Sequence, residues 1–387
     1  MNEQEQSQGI KGGFFRVDLR QIDDMTRAGA RAENVMAYLV LARGVNGSRE
    51  HRVSTHGAHS IATKTGMSNP KAKGALDWLK NPLNEAVPTG YIKEYLKPAG
   101  ASDSVPKKMR PRWVMEDPVD AQDIWLANAL TDGIGEGKNN PPLMRIYNDV
   151  LMGHNASIQE ARLDALMVLL HLYCHQDLEA YGGINPRAGI YRTWKSAENS
   201  DGERTTDLDD KGSVALFEIA GEFSSVFTDF AAEALFYIED KEERHARFWE
   251  AFKNLKKLGF VYEVIQVWDA DPHDPKNGRS AEPLYTLYVD DSHARESDPY
   301  LQKEIHVAAI TMGAMEGYFE FSQYSVESNI IGSGRFRYIA SKKTRGFPIG
   351  IYRLRFRPKT GDTGKGMAAE RRRVNEWAEA IKKFAAG

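Results

Sequence analysis

The chain has 387 residues, of which 41% are hydrophobic and 27% are charged, and these values are ordinary for a globular protein of two or three domains. No apolar stretch reaches the roughly eighteen residues that a membrane-spanning helix needs, and the polar N-terminus lacks the apolar core of a signal peptide. The single cysteine, Cys174, can form neither an internal disulfide nor a thiolate metal site. We therefore expect a protein of a reducing cytoplasm that has no contact with a membrane.

The net charge of −3 is an average over segments of opposite sign. Lys and Arg outnumber Asp and Glu by 13 to 5 in residues 43–112 and by 15 to 4 in residues 333–387, whereas residues 113–332 contain 18 against 39. Phosphate contacts depend on the potential within roughly one Debye length, about 8 to 10 Å, so both basic segments are candidates for nucleic-acid binding. The acidic middle is either a solvated surface or a docking face for a second copy or a protein partner.

The first predicted elements follow a flexible N-terminus, residues 1–13. Residues 14–19 indicate a strand or a hydrophobic clasp, and residues 23–46 contain a helix whose buried face includes Val35, Met36 and Leu39. Residues 60–81, SIATKTGMSNPKAKGALDWLKN, then predict a helix, a tight turn and a second helix. Gly66 supplies the left-handed backbone that the turn requires, and Pro70 occupies the first turn of the second helix, where proline is tolerated.

Two short strands follow at residues 90–96 and 112–115, and the loop between them carries Lys107, Lys108 and Arg110. The order of three helices and a hairpin resembles the winged helix-turn-helix family of DNA-binding proteins over about residues 30–116, within a first domain at residues 14–116. The resemblance implies that the helix at residues 70–80 enters a major groove and that the basic loop contacts backbone phosphates.

Residues 117–156 are predicted to be a connector with a short helix around residues 121–130. A long helical signal at residues 157–181 is apolar on more than one face, and we interpret it as the buried axis of a second domain.

A weak internal repeat relates this second domain, residues 157–292, to the first one. Ala75-Leu76, Leu79 and Gly90-Tyr91-Ile92 correspond to Ala251-Phe252, Leu255 and Gly259-Phe260-Val261. We therefore predict two winged-helix units in an α+β, helix-rich chain, the second of them acidic. We expect this second unit to serve for dimerisation or partner docking, or to contact DNA with one edge only. Paired winged units resemble plasmid replication initiators, whereas one winged unit with a large attached domain resembles transcriptional regulators of the GntR type.

The C-terminal segment, residues 293–387, is predicted to contain strands and a terminal helix at residues 366–385. Residues 333–361 carry nine basic residues, no acidic ones and interleaved aromatic residues. Alternation along residues 351–357 predicts a strand with Arg353, Arg355 and Arg357 on one face. That face suits phosphates, and the aromatic residues either stack on single-stranded bases or form the inward face of a sheet.

Catalytic and metal-binding patterns are weak. His51, His56 and His59 lie close together in the sequence, but no cysteine or neighbouring carboxylate completes a metal shell, and neither a nucleophile elbow nor a Walker loop is present. We therefore expect a protein that is not an enzyme and has no cofactor.

The predicted function is sequence-specific binding of double-stranded DNA by a cytoplasmic, nucleoid-associated transcriptional regulator of bacterial or mobile-element origin. Two alternatives remain open: a plasmid or mobile-element replication initiator, and a non-catalytic subunit of a partition, transposition or defence complex. The predicted DNA contacts are Lys64, Ser68, Asn69, Lys71, Lys73 and Lys80 from the helix-turn-helix, Lys107, Lys108 and Arg110 from the loop, and Arg335, Arg337, Lys342, Lys343, Arg345, Arg353, Arg355 and Arg357 from the C-terminal segment.

Overall fold

The structure is a computed structural model of the whole chain with a mixed α and β architecture and antiparallel sheets, as expected for the α+β class. The residues that it describes are 13–45, 52–81, 90–94, 112–115, 122–133, 140–153, 157–177, 183–186, 190–194, 215–218, 224–228, 230–268, 281–290, 337–340, 347–358, 365 and 372.

Two compact units divide the chain, and each is formed by segments that are distant in sequence. The first unit comprises Met1–Cys174, Ala231–Phe260 and Phe356–Lys359, and the second comprises His175–Phe230, Val261–Arg355 and Thr360–Gly387. These boundaries differ from the predicted division at residues 116, 156 and 292. The predicted second domain is split between the two units, because its long helices belong to the first unit and its strands to the second.

The elements of the first unit, in chain order, are β1 (Phe14–Asp18), α1 (Leu19–Arg27), α2 (Ala32–Arg43), β2 (Arg52–Ser54), α3 (Ala58–Thr65), α4 (Asn69–Lys80), β3 (Ile92–Glu94), β4 (Trp113–Met115), β5 (Asp123–Ala127), α5 (Ala129–Asp132), α6 (Pro142–Asp149) and α7 (Ile158–Cys174). A short helix α8 (Phe230–Ala234) returns the chain to this unit, and the long helix α9 (Lys241–Lys257) completes it.

Helices α2 and α7 form the buried core of the first unit. The side chains from Val35 to Leu41 in α2 and from Ala165 to Leu170 in α7 are all fully buried. Both helices are apolar around their whole circumference, which is the pattern of a helix that is surrounded by others. Helices α3 and α4 pack on α2, and α9 packs on α7.

A three-stranded sheet accompanies helices α2 to α4. Its strand order is β2-β4-β3, with Ser54 and Glu94 both opposite Trp113. The left-handed Gly90 (φ 74°) and the bond from the Tyr91 amide to the Leu79 carbonyl, 2.8 Å, turn the chain from α4 into β3. The sheet is therefore fixed directly to the end of α4.

One local prediction in this unit is confirmed and another was wrong. The helix predicted within residues 23–46 is α2, and the end of α1 precedes it across a left-handed turn at Gly29 (φ 85°). Residues 123–127, predicted as part of a short helix, form strand β5, which pairs with β1 along its whole length. Alternating exposed and buried side chains in β5 explain the strand, because that period fits a sheet with one covered face.

The second unit contains β6 (Ile190–Trp194), β7 (Ala215–Glu218), β8 (Ser224–Thr228), β9 (Val261–Trp268), β10 (Pro283–Asp290), β11 (Arg337–Ala340) and β12 (Phe347–Leu354). Five of these strands form one antiparallel sheet in the order β10-β9-β12-β6-β8, and β7 pairs with β11. Strand β12 is central in the larger sheet, since it pairs with β9 on one side and with β6 on the other.

The predicted internal repeat coincides with one shared local feature, a left-handed glycine before an aromatic residue whose amide bonds to a carbonyl of the preceding helix. Gly259 (φ 75°) lies two residues after the end of α9, and the Phe260 amide bonds to the Leu255 carbonyl at 2.9 Å, whereas Gly90 lies ten residues after the end of α4. Beyond this feature the two regions differ. The hairpin after α4 belongs to a three-stranded sheet, whereas β9 and β10 belong to the five-stranded sheet of the other unit.

Candidate nucleic-acid interface

Helix α4 is placed by a tight turn and by one apolar face. Gly66 ends α3 with φ 76°, and Ser68 precedes α4 in an extended conformation. The buried side chains of α4 are Ala72, Ala75, Leu76 and Leu79, which lie on the side of the helix that packs against α2 and α3. Two alanines in this face allow the close crossing of the helices.

The opposite face of α4 is exposed and contains Pro70, Lys73, Gly74 and Asp77. Within the described part of the chain, Lys73 forms no ion pair. A methyl group added at Gly74 would meet no atom within 4 Å. Glycine in the interior of a helix costs about 1 kcal/mol relative to alanine, and no neighbour in the chain requires the small residue at this position.

The other predicted contacts of the helix-turn-helix are engaged to different degrees. Lys71 Nζ donates to the Tyr147 hydroxyl at 3.0 Å, and Lys80 Nζ bonds Asp77 at 2.9 Å while it lies 4.8 Å from the centre of the Trp113 ring. Ser68 and Asn69 are exposed at the start of α4. Most of the unengaged polar surface of α4 is therefore in its first half.

Lys64 belongs to a half-buried ion triad rather than to a free surface. Asp132 accepts bonds from Lys64 Nζ and from two nitrogens of Arg43, Nε at 3.0 Å and Nη2 at 2.7 Å. Burial alone would raise the pKa of Asp132, but the hydrogen bonds and charges of Lys64 and Arg43 outweigh it and hold that pKa below its usual value. The triad ties α3 to α2 and α5.

Sequence reasoning did not identify Asp132 or Tyr147, which restrain two of the predicted lysines. Asp132 follows Lys64 by 68 residues and Tyr147 follows Lys71 by 76 residues, so no local spacing in the sequence could have revealed these contacts. Gly74 was visible in the sequence, but its lack of a packing role depends on coordinates.

The predicted arginine row of the C-terminal segment is not an exposed surface. Arg353 is 4% exposed and Arg357 is 8% exposed, and Arg355 lies 5.7 Å from the centre of the Tyr262 ring. Strand β12 also buries Ile351 and Tyr352, so both of its faces are covered and alternation does not leave an open side. The burial of Arg353 and Arg357 therefore gives no support to their predicted contacts with a nucleic acid.

The remaining predicted contacts are not tested by the described geometry. Arg337 lies on β11, paired with Glu218 in the register of the sheet. The others are outside the described residues: Lys107, Lys108, Arg110, Arg335, Lys342, Lys343 and Arg345.

No protein-family model, no curated protein and no solved structure matches this chain. Across the described ranges, no helix is both long and apolar enough to cross a membrane. In the same part of the chain, no three His, Cys, Asp or Glu side chains are grouped so as to hold a metal ion.

Proposed function

We propose that residues 32–115 form a winged helix that binds double-stranded DNA through the exposed face of α4. The order α2-β2-α3-α4-β3-β4 and the sheet order β2-β4-β3 support this proposal, since they give the three helices and terminal hairpin that define a winged helix. The basic loop between β3 and β4, residues 95–112, then forms the wing. Residues 95–111 of this loop lie outside the described residues, so their contacts are part of the proposal.

The observation that carries the proposal is the composition of the exposed face of α4. Lys73 is solvent-exposed, and beside it Gly74 leaves the helix backbone open to close approach. A positive side chain next to an uncovered helix backbone suits the floor of a major groove, where base edges and phosphates are both within reach.

The role that we propose is transcriptional regulation, because one winged helix in a unit with further helices is enough to occupy an operator. A replication initiator remains the second candidate, and the shared local feature at Gly90 and Gly259 favours it. The two roles predict different binding patterns across a genome. Immunoprecipitation of the tagged protein should recover a site near a promoter for a regulator and an array of sites at one origin for an initiator.

Lys73→Ala tests the DNA-binding proposal directly. We expect the variant to bind duplex DNA more weakly by about 1 to 3 kcal/mol at fixed salt, because it removes a base or phosphate contact. Fluorescence anisotropy with the best duplex from a random-sequence selection measures the change. Lys253→Ala is the matched control, since Lys253 is an exposed helix lysine of α9 and its loss changes the net charge equally. Equal affinities for the two variants would exclude α4 as the DNA-contacting helix.

Gly74→Ala separates stability from binding. We expect the free energy of unfolding to increase by about 1 kcal/mol, since alanine is the better helix former and the added methyl group meets no neighbour. DNA affinity should nevertheless fall, roughly tenfold or about 1.4 kcal/mol, because the methyl group keeps the DNA away from the helix backbone. Urea denaturation and anisotropy on the same preparation check both changes. A more stable variant with unchanged affinity would show that no partner approaches α4 at this residue.

A further inference from the structure

A cavity of about 730 Å³ lies beside α3, on the side of the helix that faces α5 and the start of α6. Its walls include Arg43, His56, Ser60, Thr63, Lys64 and Asp132. The volume is within the range of about 300 to 1,000 Å³ that is typical of small-molecule sites. The lining is mainly polar, which distinguishes this cavity from a packing defect in an apolar core.

The charges in the cavity favour an anion. Arg43 and Lys64 provide two positive charges, and Asp132 provides one negative charge, so the triad has an excess of one positive charge. Lys64 has three donor hydrogens and Arg43 has five, so Asp132 does not exhaust either of them. The three side chains are between 13% and 31% exposed, and partial burial strengthens their attraction for an anion that enters.

Helix α3 adds an uncharged donor to the same wall. Ser60 brings a hydroxyl group, whereas the hydroxyl of Thr63 already donates to the His59 carbonyl at 2.9 Å. Arginine, lysine and a hydroxyl are together the donors of phosphate sites rather than of apolar ligand sites.

The backbone that closes the cavity is unusual. Asn140 contributes to the lining and has φ 58°, the one positive φ at a residue other than glycine in the described part of the chain. This turn directs Pro141 and Met144 toward the cavity at the beginning of α6. Left-handed residues are more frequent at ligand sites than elsewhere.

We propose that this cavity binds a phosphate group, carried by a phosphorylated small molecule of up to nucleotide size. Lys64 and Arg43 hold the phosphate oxygens, and the hydroxyl of Ser60 fixes the orientation of the group. The proposal does not depend on DNA binding. If DNA binding holds, occupancy would also affect α4, because α6 both closes the cavity and holds Lys71 through Tyr147.

Direct titration without DNA tests the site. Isothermal calorimetry and thermal unfolding of the full chain with inorganic phosphate, pyrophosphate and adenosine monophosphate should show saturable binding of at least one of them. We expect Lys64→Gln to weaken that binding at least tenfold. Lys253→Gln, which changes the charge of an exposed lysine of α9 outside the cavity, should leave it unchanged. Saturable binding to none of the three compounds, or equal loss in the two variants, would overturn the proposal.

A second variant tests the site even if Lys64→Gln does not fold. Ser60→Ala removes the proposed hydroxyl donor and leaves the triad of Arg43, Lys64 and Asp132 intact. We expect at least a fivefold loss of affinity with an unchanged thermal midpoint of the free protein. Full affinity in this variant would show that the phosphate is not bound in the cavity.

His56 supplies a reporter in the cavity wall. Burial lowers the pKa of His56 below 6.5, its bond with the Val40 carbonyl oxygen opposes that change, and the positive charges of Lys64 and Arg43 lower the pKa further. A bound phosphate offsets those charges, so NMR titration should show a higher pKa for His56 in the complex. An unchanged His56 titration at saturating ligand would place the ligand elsewhere.

The phosphate could also come from a DNA backbone, and the two sources give different results. If a small molecule is the ligand, Lys64→Gln should lose adenosine monophosphate binding and keep the DNA affinity of the free protein. If the cavity instead receives a DNA phosphate, the same variant should lose DNA affinity, and phosphate should compete with DNA. The second result would overturn the small-molecule assignment.

Discussion

Gly90→Ala is expected to lower the free energy of unfolding by about 2 to 5 kcal/mol. Gly90 has φ 74°, a conformation that costs about 1 to 2 kcal/mol for an alanine. A methyl group there would also lie 2.1 Å from the carbonyl oxygen of Lys80 and 2.7 Å from its carbonyl carbon. These are backbone atoms at the end of α4, so the clash cannot be relieved by rotating a side chain.

Gly29→Ala is the matched control for this substitution. Gly29 has a similar left-handed backbone, φ 85°, but an added methyl group would meet nothing within 4 Å. We expect its cost to be about 1 to 2 kcal/mol, the backbone penalty alone. Urea denaturation of the two variants measures the difference, which is the contribution of the clash with Lys80. If the two substitutions lower the free energy of unfolding equally, the close contact between Gly90 and the Lys80 carbonyl at the end of α4 is not present in solution.

The elements that the sequence predicted best have local determinants. The apolar spacing after Gly66 and the proline in the first turn predicted a helix at residues 70–80, and α4 is Asn69–Lys80. The start of α7 at Ile158 was also predicted within one residue, because a long apolar run follows Ser157. In both cases the turn residue and the side-chain period act over a few neighbouring residues.

The parts that the sequence did not predict depend on distant partners. Strand β12 has an alternating sequence and pairs with β9 and β6 at its two edges, but side chains on both of its faces are buried, Arg353 among them. The alternation could not show this, since a row of arginines on a strand has the same spacing whether its face is open or covered. Helix α9 likewise has the spacing of a winged-helix element, yet its packing partner is α7, about 80 residues earlier in the chain.

The acidic middle of the chain illustrates the same limit. Its carboxylates were interpreted as a surface for solvent or for a partner, but some of them are internal. Glu263 is 6% exposed and lies 2.7 Å from Arg192, and Asp164 is 2% exposed and bonds to Arg247. A count of charges along the sequence cannot separate such pairs from surface residues.

The buried pair of Asp164 and Arg247 gives the second large expected effect. Arg247 Nε and Nη2 donate to the two oxygens of Asp164 at 2.8 and 2.9 Å, and the Tyr237 hydroxyl donates to the same carboxylate at 2.7 Å. Arg247→Leu leaves the carboxylate of α7 buried with only the tyrosine. We expect the free energy of unfolding to fall by about 3 to 5 kcal/mol, the typical cost of removing one partner from a buried pair.

Arg16→Leu is the control, because Arg16 pairs with Asp123 at 3.1 Å where both side chains are about one-third exposed. That change should cost no more than about 1 kcal/mol, since water screens the remaining charge. Guanidinium denaturation of both variants at neutral pH makes the comparison. Similar losses in the two variants would mean that Asp164 is hydrated in solution rather than buried.

A lower pH should restore part of the unfolding free energy that is lost in Arg247→Leu. Burial raises the pKa of Asp164 even in the intact protein, although the bonds from Arg247 and Tyr237 oppose it. Without Arg247 that pKa rises further, and the folded variant can then hold Asp164 protonated. A carboxyl group with a raised folded pKa favours folding at low pH and loses that contribution as pH increases. The difference in unfolding free energy between wild type and variant should therefore be smaller near pH 5 than near pH 7.5.

Replacing the whole cluster separates the cost of an orphaned charge from the value of the pair. A variant with Asp164→Leu, Arg247→Leu and Tyr237→Phe contains no unpaired buried group at these positions, and we expect it to recover at least half of the stability lost in Arg247→Leu. Recovery would show that α7 and α9 are held together mainly by apolar packing. A triple variant as unstable as the single one would instead make the ion pair itself a net source of stability.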